Sequence, residues 1–287
     1  MRIERILFPT DFTDRCCRAI PFVSAMARRH SARIILLSVS EALSYSALSD
    51  PPVAVLIDPA EAAEELRVRL EAVRSESFHA ADVECVAMCG DPAQSIADFV
   101  KGNGIDLVMM PTHGYGTFRR LLLGSVTAKV LHDIACPVWT ATHTPDAAQP
   151  GQSDCRPAVC AVDGGPESVA LMRWAGAFAA KVGASLRFVH VVPGMQGFPS
   201  HHMDAEFQER LREIGTHTMK ELQQASDCQA PFSVVAGSAV ERVCEEASRQ
   251  HADLLIIGRG AIQESRGRLF AHAYGMIRES PCPVLSV

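Results

Sequence analysis

The chain has 287 residues, near the upper limit for a single core, so two domains of roughly 140 residues each are the natural expectation. With 48% hydrophobic and 21% charged residues it can bury a core, which excludes a disordered chain. A formal net charge of −6 excludes the basic surface that a nucleic-acid backbone requires and leaves room for a small anionic ligand held locally.

In chain order, the first residues (MRIERILFPTDF) enter an apolar run without the hydrophobic stretch and small-residue cleavage site of a secretory signal. No apolar run approaches the ~20 residues a membrane span needs, so the expectation is a cytoplasmic chain without a membrane partner. Ile3 to Pro9 is continuously apolar and suits a strand covered on both faces. Thr13 or Asp14 can cap a helix reaching about His30, with Cys17, Ile20, Val23, Ser24 and Ala27 at helical spacing and Pro21 predicting a kink. Ile34 to Val39 reads as the second strand, and Pro59 to His79 as a charged amphipathic helix. Val83 to Met88 and Asp106 to Met110 are the third and fourth strands, separated by a helix that Asp91-Pro92 starts. Ser125 to Asp133 is the last helix of this set, and Val138 to Ala141 a short strand at the sheet edge.

The pattern then repeats. Ile6–Asp11 is matched by Val159–Asp163, and Leu37-Ser38-Val39 by Val189-His190-Val191, 152 positions on. Asp106–Met110 matches Asp253–Ile257, and Cys136-Pro137-Val138 matches Cys282-Pro283-Val284, where the offset is 146. Between the copies, residues 143–157 are polar and rich in Pro and Gly, which marks a linker between domains at 1–142 and 158–287. Strand and helix alternate in each copy, and that alternation means a parallel sheet.

The ten cysteines sit mainly inside apolar runs, as Cys85, Cys160 and Cys244 do, and read as reduced thiols. Cys85 and Cys89 share one face of a strand, but no second pair accompanies them at zinc-ligand spacing.

Ligands of open parallel sheets bind beyond the carboxyl ends of the strands, where the strand order reverses. In the first copy those ends carry Pro9, Thr10 and Asp11, then Val39, then Met110 followed by Pro111, Thr112, His113 and Gly114. Gly124 allows close backbone approach, and the amides that follow it at Ser125, Val126 and Thr127, with the Ser125 hydroxyl, can donate at a helix start, where a phosphate is held well. Asp11 can take a ribose hydroxyl or order a metal beside phosphates; it can equally do no more than cap the first helix. His113 has no nucleophile and acid partner that would make it catalytic.

These residues resemble the universal stress protein family, which carries an Asp after its first strand and a G-x-x-G-x9-G-[ST] loop that wraps the triphosphate of ATP. Asp11, Val39, Gly114 and, nine residues later, Gly124-Ser125-Val126-Thr127 match that pattern. The resemblance spans nearly the whole chain, twice. It implies two tandem Rossmann-like (HUP-type) α/β domains, each an open five-stranded parallel sheet flanked by helices, packed as a pseudo-dimer through the short strands after each Cys-Pro. It implies ATP as ligand, with Mg²⁺ beside its phosphates, and action as a signalling module that other stress-response proteins sense; a homodimer of tandem chains stays open.

Two departures bear on occupancy. Pro111 replaces the leading glycine of the first loop and removes a backbone donor. The second copy offers Asp163, Val191, Gly258, Arg259 and Gly260, but Ala261 replaces a glycine and Phe270-Ala271-His272 stands where Gly-Ser is expected. The expectation is therefore nucleotide mainly in the first copy. Two alternatives remain: a scaffold whose nucleotide sites have lapsed, and slow ATP hydrolysis or self-phosphorylation through Thr10 or Thr13.

Overall fold

Ile6, Leu7 and Phe8 are fully buried (0% exposed), as a strand with helices on both faces demands. In the computed structural model they lie on β1 (Arg5–Pro9), from which the first copy grows. The structure describes residues 2–41, 43–46, 53–56, 58–79, 81–112, 123–141, 157–194, 201–259 and 268–287, with backbone alone for 43–46, 53–56, 201–204 and 268–271. These divide into two compact units, Arg2–Val138 and Trp139–Val287.

In the first unit α1 (Asp14–His30) returns the chain to β2 (Arg33–Ser40), which pairs in parallel with β1, Ile6 opposite Ile34. The helix runs through Pro21 and ends where Ser31 takes a left-handed φ of 54°. Its buried face is Cys16, Ala19, Ile20, Val23 and Ala27. Cys17, expected on that face, is exposed, because the core-facing stripe begins one residue earlier at Cys16.

Two short strands, β3 (Leu43–Ser46) and β4 (Val53–Leu56), then form an antiparallel pair that the sequence reading did not anticipate. α2 (Pro59–Ser77) follows, capped by the Asp58 carboxylate, which accepts from the Ala60 amide at 2.9 Å. β5 (Val83–Cys89) pairs with β2 over its whole length. α3 (Pro92–Asn103) is capped by Asp91, which accepts from the Gln94 amide at 2.7 Å, and closes on Gly104 at φ 58°. β6 (Leu107–Met110) returns to the other side of β1, giving the parallel order β6-β1-β2-β5. α4 (Ser125–Asp133) and β7 (Val138–Thr140) complete the copy, and the Pro137 carbonyl just ahead of β7 accepts from the Val108 amide of β6.

The second unit repeats the scheme: β8 (Pro157–Val162), α5 (Ser168–Val182), β9 (Ser185–Val192), α6 (His201–Ser226), β10 (Phe232–Ala236), α7 (Ala239–Arg249), β11 (Leu254–Ile257), α8 (Arg268–Glu279) and β12 (Val284–Ser286). Its five strands run parallel in the order β10-β9-β8-β11-β12. α5 packs on α6 and α7 on α8. Right-handed crossovers put the first pair on one face of the sheet and the second pair on the other. Phe178, Phe188, Met172 and Leu255 fill this core. No helix among the described residues is long and apolar enough to cross a membrane.

Candidate functional site

In each unit the chain leaves the central strand in one direction, adds two strands, and then crosses to the opposite side. The strand order therefore reverses beside the central strand, between β1 and β6 in the first unit and between β8 and β11 in the second. A crevice opens at such a point beyond the carboxyl ends.

In the first unit the residues beside the reversal are Pro9, Thr10 and Asp11 on one strand end and Met110, Pro111 and Thr112 on the other. The Thr10 amide donates to the Leu37 carbonyl at 2.8 Å, and its hydroxyl oxygen accepts from the Phe12 amide at 3.1 Å, which starts the turn. Asp11 Oδ1 accepts from the Thr13 amide at 3.0 Å, the Thr13 hydroxyl at 2.6 Å and the Cys16 thiol at 3.1 Å. Phe12, between them, has a φ of 62°, a left-handed conformation costly for a bulky residue. The Arg69 guanidinium of α2 lies 3.9 Å from the Phe12 ring centroid and helps to hold the turn in that state. Asp11 thus does act as a local cap, but through one oxygen. Among the described residues nothing donates to Oδ2.

Across the crevice, Gly124 precedes α4 and its amide donates to the Thr112 carbonyl at 2.9 Å. The buried Thr127 hydroxyl donates to the Pro111 carbonyl at 3.1 Å. Both bonds draw the start of α4 onto the end of β6, and both engage residues that the sequence reading had placed beside a phosphate. What remains there is the first helical turn, the amides of Ser125, Val126 and Thr127 and the exposed Ser125 side chain. Val39 is half-buried at the end of β2, while Pro9, Met110 and Thr112 are buried. His113 and Gly114 lie outside the described residues, as does most of the linker 143–157.

In the second unit Asp163 is held in the same way: Oδ1 accepts from the Gly165 amide at 2.8 Å and from the Ser168 hydroxyl at 2.9 Å. Ser168 occupies the Cys16 position of the repeat, so the same carboxylate oxygen is tied five residues downstream in both copies. Gly164, at φ 83°, makes the turn that the strained Phe12 makes in the first copy. The buried His190 ring bonds the Val162 carbonyl at 2.8 Å and fixes the end of β8. Asp163, Val191, Gly258 and Arg259 come together here around a cavity of about 570 Å³. The sequence reading had offered these four residues in the second copy's set, while it favoured the first copy for nucleotide. Gly260 lies outside the described residues.

Three cysteines are held in the neutral thiol form by burial. Burial, with the neighbouring Asp11 carboxylate adding to it, holds the Cys16 thiol up at about 11. Burial likewise lifts Cys244 to about 11 and Cys282 to about 12. Among the described residues no cluster of His, Cys, Asp and Glu is arranged to hold a metal by itself.

With this geometry in view, the comparisons with known proteins are consistent. A sequence model of the universal stress protein family matches residues 2–141 and again residues 155–287. A universal stress protein of Thermus aquaticus is 31% identical over 140 residues, covering 47% of this chain and 96% of its own length. One of Methanocaldococcus jannaschii is 27% identical over 151 residues, covering 47% of this chain and 92% of its own. Among solved structures, a universal stress protein from Archaeoglobus fulgidus aligns over 99% of this chain and 96% of its own, with a TM-score of 0.67 at 19% identity, a likeness of fold. Two matches of one family, laid end to end over two repeats of one α/β unit, leave a single reading: the chain belongs to the universal stress protein family and carries its domain twice.

Proposed function

We propose that the chain is a stress-response module that binds ATP in its N-terminal domain and signals by the conformation that ATP stabilises. The observation that carries this reading is the convergence, beside the strand-order reversal, of an unpartnered carboxylate oxygen of Asp11 and the open first turn of α4 after Gly124. The first suits a ribose hydroxyl and the second an anionic phosphate, the two ends such a ligand presents. Mg²⁺ would be held by phosphate oxygens and water, since magnesium keeps much of its hydration, which leaves Asp11 to the ribose. The ion would neutralise phosphate charge. The chain's own residues bind and orient: Thr10 and Asp11 shape the turn, Val39 walls the crevice, and α4 faces the anion. Other stress-response proteins would read the resulting state.

The test is the melting temperature of the full chain with ATP and Mg²⁺, because a ligand of the native state stabilises it by mass action. A rise with wild type that Gly124→Val and Asp11→Asn diminish is expected. No rise at millimolar ATP overturns the proposal.

A scaffold with a lapsed nucleotide site is the second reading. It is favoured by the Gly124 amide and Thr127 hydroxyl, which are already bonded to the chain's own carbonyls at Thr112 and Pro111.

A further inference from the structure

α6 (His201–Ser226) is the longest helix among the described residues, and it turns an apolar stripe away from its own core. Gly215 and Met219 are buried, with Gly215 close against Val192 and Val234 of the sheet. On another side of the helix Phe207 is 50% and Ile214 56% exposed, with half-buried Leu211 between them. Steps of four and three residues set these side chains in one line about 11 Å long. Val68 is the third large apolar side chain exposed among the described residues. A single exposed apolar group is ordinary, but two in one stripe of one helix mark a surface for association.

The repeat offers an internal control. At an offset of 149 residues, buried Leu66 and Leu70 of α2 coincide with buried Gly215 and Met219 of α6. Glu65, exposed on α2, then corresponds to Ile214, and the α2 cap Asp58 to Phe207. α2 starts at Pro59, the equivalent of Gln208, so α6 begins about two turns earlier. The same helix of the same fold thus closes its core without the added turns and without the outer apolar groups. What α6 carries in excess faces outward.

The charges beside the stripe fit a second copy of this chain. Glu206, Arg210, Glu213 and His217 follow one another along one edge of it, again in steps of four and three. Read in the opposite direction, the same row sets Glu206 against His217 and Arg210 against Glu213, so two α6 helices laid antiparallel about a two-fold axis are charge-complementary to each other. That reversal also brings Phe207 onto Ile214 of the other copy and the two Leu211 side chains together at the axis. Within one chain Arg210 and His217 make only exposed pairs, to Glu213 at 3.8 Å and to Glu221 at 3.3 Å, which are cheaply exchanged. We propose that the chain self-associates through α6 as an antiparallel, two-fold helix pair. A contact over four helical turns buries less than the about 1,200 Å² of a standard interface, so the dimer is weak and forms at roughly micromolar concentrations.

Sedimentation velocity of the full chain from roughly 1 to 300 µM reads this association. Wild type should pass from monomer to dimer within that range. Ile214→Glu, which gives α6 the residue α2 carries at this position, should weaken the dimer by roughly tenfold or more at an unchanged melting temperature, whereas Val68→Glu on α2 should leave it as it is. If Ile214→Glu does not fold, Phe207→Glu, in the turns that α2 lacks, carries the same test. Arg210→Glu should weaken the dimer roughly fivefold, and adding Glu213→Arg to it should restore association to within about twofold of wild type, because both copies then exchange signs together. A monomer at every concentration overturns the proposal, including one whose α6 captures a different protein. A dimer that Ile214→Glu and Arg210→Glu leave intact also overturns it, since assembly then belongs to another surface.

Discussion

Replacing Asp11 separates its two roles. Asp11→Ala removes the acceptor for the Thr13 amide, the Thr13 hydroxyl and the Cys16 thiol, all bound to Oδ1. Losing a capping acceptor of this kind costs about 0.5–2 kcal/mol, and the half-buried turn with its left-handed Phe12 puts the value near the upper end. For a domain of this size that is a fall in melting temperature of roughly 5–7 °C. Asp11→Asn keeps an oxygen at Oδ1 and should cost about 0.5 kcal/mol or less. It removes the charge and the Oδ2 acceptor, and a lost hydrogen bond to a charged group is worth about 1.5–3 kcal/mol, or roughly 10- to 150-fold in ATP affinity. Thermal melts of the apo proteins and calorimetric titration with ATP and Mg²⁺ give both quantities on the same samples. An Asp11→Asn protein that binds ATP as wild type does, beside an Asp11→Ala protein that is merely less stable, would reduce Asp11 to a cap and refute the reasoning.

Other outcomes follow from the same structure. Cys16→Ser should preserve the bond to Asp11, as Ser168 does to Asp163, and leave ATP affinity within about twofold, whereas Cys16→Ala should lower stability by roughly 1 kcal/mol; denaturant midpoints distinguish them. Stability should also fall at alkaline pH. A thiol whose folded pKa is raised adds stability that is complete below its ordinary value of 9.0 and is lost as pH climbs toward the folded value, about 11 for Cys16 and Cys244 and about 12 for Cys282. The denaturant midpoint should hold steady up to about pH 9 and decline above it; a flat profile through pH 11 would contradict this. Gly194→Ala should destabilise the C-terminal domain, because its Cβ would stand 2.8 Å from the Gly237 Cα and two backbones would have to part. Its melting transition should drop while the N-terminal one stays. Phe8→Ala, fully buried on the central strand, should cost about 3–5 kcal/mol and abolish a folded N-terminal domain at moderate denaturant.

Much of the architecture was legible because each copy pairs continuous apolar runs with capped helices. Asp91-Pro92 marks a helix start through chemistry that acts within three residues, and the structure uses Asp91 as the cap. The repeat made the second copy readable from the first. The β3–β4 pair was not legible: four-residue strands have too little pattern to separate from a loop, and their pairing is a contact between segments seven or more residues apart. Cys17 was misread because a helix stripe shifts by 100° per residue, so an error of one in its phase exposes the wrong neighbour.

At the candidate site, the sequence located Asp11, Gly124 and Thr127 at one sheet edge but could not say which of their atoms were already engaged. The Thr127 hydroxyl, for one, is spent on the Pro111 carbonyl. The cavity beside Asp163 arises where three helices and three strands fail to meet, and no local pattern encodes that absence of packing. The early start of α8 at Arg268 is likewise a tertiary outcome, although Phe270 at the glycine position hinted that the two copies differ.

Crystals of the full chain grown with excess ATP and Mg²⁺ test the central claim most directly. The account predicts the triphosphate against the first turn of α4 beyond Gly124, with the ribose against Asp11 and the metal held among phosphate oxygens. A crevice between β1 and β6 filled by the chain's own side chains, with Asp11 and α4 untouched by nucleotide, would contradict it.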